Sequence, residues 1–205
     1  MKIFNFSTRD FCCHFRKNSG YYYIFLLSII VSTIIAIVIV LSSDSYLSLL
    51  VSKNKNLYNF INGSVKFSEI FFGCLFKFIL PLIIILLLGL NYHTSLLSII
   101  FVSYQFAIFV MTITAIIVTY MFSGVLISLF FIIPVNLLFF ITIIFLSVVC
   151  LERSSYAKKT KYFKEAYDKF YFSKVFLSFA IIICLSLIIS VVFPILLKSS
   201  IFFIY

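Results

Sequence analysis

Hydrophobic positions along this 205-residue chain fall in long runs, not at the 3.6- or two-residue periods of amphipathic helices and strands. A helix crossing a bilayer needs roughly 20 apolar residues. The first such run is "YYYIFLLSIIVSTIIAIVIVL", 21–41. It is too long for the core of a signal peptide and no A-x-A cleavage site follows, so it is expected to be retained as a span. From Phe78 to Leu151 there is no charged residue, a stretch too long for two helices and right for three. "GLNYHTS" (89–95) and "TYMFSG" (119–124) divide it. The expected spans are therefore about 71–90, 96–118 and 124–149, which make 71–149 a three-span hydrophobic region. A last run at 175–197 completes an all-α polytopic bundle of about five transmembrane spans.

Charge adds orientation. The chain holds 16 Lys and Arg against 6 Asp and Glu, a net +10. In a soluble protein that balance would suggest nucleic acid; in a membrane chain it reports topology, because basic residues gather in cytoplasmic segments. Eleven of the sixteen lie in 1–20 and 150–174, including Arg16, Lys17, Arg153, Lys158 and Lys174. Both segments are thus expected inside, with the N-terminus cytoplasmic, 42–70 an external loop and 198–205 an external tail. Lys77, early in the second span, is expected to snorkel outward. The external loop mixes apolar and polar residues at partly helical spacing, which suits an interfacial helix; its "NGS" (62–64) has the form of a glycosylation sequon and equally that of a turn.

The basic segment "LERSSYAKKTKYFKEAYDKFYFSK" reads as a helix on which Tyr156, Phe163, Tyr167, Phe170 and Tyr171 share a face among lysines. It either lies on anionic headgroups or docks a cytoplasmic partner.

Composition is 64% hydrophobic and 11% charged, far from the roughly half apolar and quarter charged of soluble domains. Abundant Phe, Ile, Lys, Asn and Tyr follow AT-rich codons and carry little functional weight. The five cysteines (12, 13, 74, 150 and 184) form no C-x-x-C pair or Cys/His cluster, so no metal site is expected. The chain has no GxSxG, HExxH, phosphate-binding glycine loop or paired aspartates at depth. Its two histidines, His14 and His93, fall near the membrane surface. The expectation is a protein that is not an enzyme and has no cofactor.

What remains is packing chemistry. Ser28, Ser32 and Ala36 recur on the first span, Ser103, Ala107 and Ala115 on the third, Gly124 and Ser128 at the start of the fourth, and Ser178, Ser186 and Ser190 on the fifth. Small residues let helices approach closely in lipid. Gln105 and Asn136 place amides at depth. Pro134 removes the hydrogen bond to the Phe130 carbonyl and bends its helix. Asn136, two positions on, can satisfy a freed backbone group or bond across to another helix. Pro134, Asn136, Leu137, Gly124 and Gln105 are therefore a candidate packing node; the alternative is a tolerated kink with an incidental amide.

Two segments carry a resemblance. "LLLGLNYHTSLLSIIF" (86–101) has a Leu-Leu-Gly turn into the next helix, and "SGVLISLFFIIPVNLLFFITIIFLSV" (123–148) has a Pro-x-Asn-Leu centre at Pro134, Asn136 and Leu137. With the basic N-terminus, first span and outer loop, the chain resembles the stage II sporulation protein M family over nearly its whole length. It departs from the family in lacking further glycines after the second span and in placing Val135 where glutamine is common.

The resemblance implies a non-enzymatic scaffold in the cell membrane that holds peptidoglycan-degrading partners, the stage II sporulation proteins D and P, during engulfment. The other readings are a permease-type subunit driven by a separate ATPase docking on 151–174, and a lipid- or solute-handling protein of another kind. The expected partners are membrane lipids, wall hydrolases and further copies of the chain; nucleic acid is not expected.

Overall fold

The computed structural model describes residues 8–42, 67–160 and 169–200. They are helical apart from short turns, with no strand among them. In chain order the helices are α1 (Thr8–Lys17), α2 (Ser19–Ser42), α3 (Phe67–Leu88), α4 (Tyr92–Ser95), α5 (Leu97–Ile127), α6 (Ile133–Thr160) and α7 (Lys169–Ser200); a π-helical turn, Ser128–Ile132, joins α5 to α6. Among the described residues five helices are long and apolar enough to cross a membrane. This is a multi-pass membrane protein whose outward-facing apolar side chains meet lipid.

The two polar interruptions fall where the chain turns. After Leu88, Gly89 lets the chain pass directly over α6: a Cβ on it would lie 2.7 Å from Cys150 Cβ. Asn91 then caps α4 by accepting from the His93 amide at 3.4 Å, and the Thr94 hydroxyl donates back to the Leu88 carbonyl at 2.7 Å. At the second interruption Met121 takes φ 51, ψ −126. Left-handed φ is costly for a residue with a Cβ, roughly 1–3 kcal/mol, and here it serves a reversal. The chain doubles back so tightly that a Cβ on Gly124 would come within 2.5 Å of the Ile116 carbonyl oxygen. After the π-helical turn the helix of the fourth span runs Ile133–Thr160, so the span and the start of the basic segment at 150–174 form one continuous helix. α3 runs without interruption through Pro81, a second intramembrane proline.

α6 is the centre of the bundle. Of its most apolar stretch 56% is buried, against 11–33% for the other four spans. Phe139, Phe140, Ile143, Leu146 and Val149 of α6 pack with Phe78, Leu82 and Ile85 of α3 and with Ile182 and Leu185 of α7. Aromatic rings tie the layers: Phe78 to Phe139 at 4.7 Å, and Phe106 of α5 to Phe140 at 4.8 Å. In lipid such contacts, rather than expulsion of water, hold helices together.

α2 shows how the small residues are used. Phe25, Ala36 and Val40 are buried and Ser28, Ser32 and Thr33 half-buried, while Leu26, Leu27, Ile30 and Ile34 are exposed. The serine stripe is thus the inward face, packed mainly on α5. Its hydroxyls donate to carbonyls of their own helix, Ser28 to Phe25 and Ser32 to Ile29, so these groups are not left bare. On α7, Ser178, Ser186 and Ser190 are likewise buried and bonded to their own backbone.

One end of the bundle collects the segments rich in Lys and Arg. Lys17 of α1 reaches Glu152 of α6, Ser154 of α6 donates to Ser95 of α4 at 2.8 Å, and Cys150 lies 3.7 Å from the Tyr171 hydroxyl of α7. The basic N-terminal helix, the 89–95 turn, the end of α6 and the start of α7 therefore share an end, as five alternating spans require.

Candidate functional site

The polar groups of that end converge on one carboxylate. Glu152 is the only acidic residue between Glu69 and Glu165, and it follows directly on the apolar part of α6. Its Oε1 accepts from Lys17 Nζ at 2.9 Å. Its Oε2 lies 3.3 Å from His14 Nδ1 and 3.9 Å from Lys174 Nζ. Three elements thus supply partners: α1 through His14 and Lys17, α6 through Glu152, and α7 through Lys174.

The local folding of α1 places these groups. Asn18 breaks the chain between α1 and α2: its backbone N–H and its Nδ2 both donate to the His14 carbonyl at 3.1 Å. This closes α1 and leaves the His14 ring turned into the bundle, where it is buried. The ring meets Phe145 edge-on with centroids 5.4 Å apart, and beside it Phe15 stacks on Tyr22 at 3.9 Å. The short N-terminal helix is thereby fastened to α2 by stacking and to α6 by charge.

Around His14 Nδ1 lie Asn18 Nδ2 at 3.1 Å, Lys174 Nζ at 3.2 Å and Glu152 Oε2. An ammonium and an amide NH2 can only donate, so Nδ1 meets them with its lone pair. His14 Nε2 and Glu152 Oε2 are both buried without a hydrogen-bond partner. The carboxylate is balanced by the nearby lysines, as a charge this far from bulk water requires.

Beside this hub is a cleft of about 360 Å³ lined by Leu90, Asn91, Tyr92, His93, Ser154, Ala157 and Lys158. The 89–95 turn forms one wall and the last turns of α6 the other. Lys158 Nζ stands 4.1 Å over the Tyr92 ring. Among the described residues no three His, Cys, Asp or Glu side chains come together in a way that could hold a metal ion. Cys13, Cys74, Cys150 and Cys184 are free thiols.

The residues singled out from sequence fall elsewhere. The π-turn precedes Pro134, whose ring would otherwise crowd the preceding turn. Asn136 Nδ2 donates to the Ile132 carbonyl at 2.8 Å, so its amide satisfies its own helix. Pro134 and Leu137 are exposed, Gln105 is half-buried, and no hydrogen bond joins Gln105 to Asn136 among the described residues. Gly124 is buried against Ile116 and Ile117 in the reversal, and the buried Ser128 hydroxyl has no partner. Tyr156 is exposed near the end of α6. Phe163 and Tyr167 lie outside the described residues, and Phe170 is in the first turn of α7.

The hub of His14, Lys17, Glu152 and Lys174 did not emerge from sequence, although two signals bore on it. A lone acid at the end of an apolar run needs cations, and Lys174 stands alone at the start of the last run. Neither signal names His14, because 138 positions separate it from Glu152. No family model, curated protein or solved structure matches this chain, so its description rests on its own residues: a five-helix membrane bundle with a charged hub at one end.

Proposed function

We propose that the protein is a non-enzymatic scaffold in the cell membrane that anchors peptidoglycan hydrolases of a wall-remodelling complex of the engulfment type. The Pro-x-Asn-Leu centre at Pro134, Asn136 and Leu137 carries this reading, through its resemblance to the stage II sporulation protein M family. It is consistent with this that the serine stripes of α2 and α7 face inward, where small side chains let helices pack closely. In this orientation the basic end faces the cytoplasm and the hydrolases engage the opposite side.

A mild-detergent pull-down from the native host, with the bound proteins identified by mass spectrometry, tests the proposal. Recovery of wall hydrolases similar to stage II sporulation proteins D and P supports it. Recovery of a nucleotide-hydrolysing subunit without any wall hydrolase overturns it in favour of a permease-type assembly.

A further inference from the structure

The cleft between the 89–95 turn and the end of α6 has no part in the scaffold reading, and its chemistry is specific. It lies where the second and fourth spans end and the third begins, the level at which a spanning helix meets lipid headgroups. Its volume of about 360 Å³ exceeds what a lone water or ion fills and falls within the roughly 300–1,000 Å³ of small-molecule sites. Five of its lining side chains carry hydrogen-bonding or charged groups: Asn91, Tyr92, His93, Ser154 and Lys158. None of the lining residues is acidic.

The donors are also available. Lys158 Nζ stands over the Tyr92 ring, and among the described residues no carboxylate pairs with it. Asn91 uses its Oδ1 to cap α4, which leaves Nδ2 to donate. Glu152, the one acid of this neighbourhood among the described residues, is held by His14, Lys17 and Lys174 and does not offset the charge of Lys158.

We propose that this cleft binds the phosphate of an anionic lipid headgroup, with Lys158 as its counter-ion and Asn91 and His93 as further donors. An ammonium and an amide on opposite walls suit a phosphate oxygen pair, and a charge-assisted hydrogen bond is about twice as strong as a neutral one. The position at the membrane boundary selects a lipid over a soluble phosphate ester, because the acyl chains can stay in the bilayer while the headgroup enters.

Native mass spectrometry of the full chain tests this, with phosphatidylglycerol, phosphatidylcholine or glycerol 3-phosphate added in mild detergent. Wild type should retain phosphatidylglycerol in preference to phosphatidylcholine and should not retain glycerol 3-phosphate. Lys158→Gln should lower that retention roughly tenfold. Arg16→Gln, which removes an exposed charge outside the cleft, should leave it unchanged. Asn91→Asp is the second variant: aspartate still caps α4, so thermal unfolding should hold, yet its charge should repel phosphate and reduce retention. Equal losses in Lys158→Gln and Arg16→Gln would overturn the site in favour of a diffuse basic surface. Glycerol 3-phosphate binding as well as the lipid does would overturn the lipid assignment. Full retention in Asn91→Asp with an unchanged unfolding temperature would remove the cleft from consideration.

Discussion

Two regions of the same helix treat polar residues in opposite ways. In the first part of α6, Pro134 and Asn136 are conspicuous in sequence, yet the amide of Asn136 satisfies the Ile132 carbonyl of its own helix and Pro134 faces outward. Four turns further on, Glu152 looks like one more charged residue of a basic segment, yet it gathers side chains from α1 and α7. The difference follows from what each group can satisfy alone. An amide at depth finds a carbonyl four residues back, so it needs no neighbour. A half-buried carboxylate needs countercharge, which Glu152 takes from lysines of α1 and α7. Conspicuous polarity inside a span is therefore a poorer guide to tertiary contact than an unpaired charge at its end.

The sharpest test of this contrast is all-or-none and concerns which face the hub occupies. Reporter fusions after Ser43 and after Tyr205 should both report outside, because the basic end then lies in the cytoplasm. A cytoplasmic signal after Tyr205 would remove the orientation.

The next effect is on the hub itself. Glu152→Ala leaves His14, Lys17 and Lys174 without their carboxylate and should cost about 2 kcal/mol, below the ~3–5 of a wholly buried pair, since the Glu152 side chain is 17% exposed. Lys17→Ala should cost less than ~1 kcal/mol, because its side chain is 74% exposed. Thermal unfolding in detergent compares the two, and equal losses would show that the hub is an ordinary surface ion pair.

Gly89→Ala follows in size. Its Cβ would meet Cys150 Cβ at 2.7 Å, which neither backbone can relieve without moving α3 from α6. The expected loss is about 1–2 kcal/mol, typical of overpacking. Cys150→Gly in the same chain should recover part of it; a double variant no better than Gly89→Ala would place the strain elsewhere.

The smallest effect is expected in the first part of α6. Asn136→Leu removes only an intrahelical bond and should cost under ~0.6 kcal/mol, with insertion intact. Pro134→Ala restores a backbone N–H and should raise the unfolding temperature. If Asn136→Leu destabilised the bundle as much as Glu152→Ala, the contrast between the two regions would be gone.

The amino-acid sequence alone determined the class, the number of spans and the places where the chain turns. Each depends on local quantities: run length against bilayer thickness, glycine and polar residues at breaks, and the density of lysine and arginine between runs. The serine stripes of α2 and α7 were legible for the same reason, since helical spacing fixes which residues share a face. Only the tertiary structure decided that α6 is the central helix, that α1 folds back onto it, and that His14, Lys17 and Lys174 surround Glu152. Hydropathy is nearly uniform along all five spans, so no periodic signal says which faces meet protein and which meet lipid. The hub joins residues 14, 152 and 174, whose proximity depends on how the spans pack. No local rule relates them until the helices have taken their places.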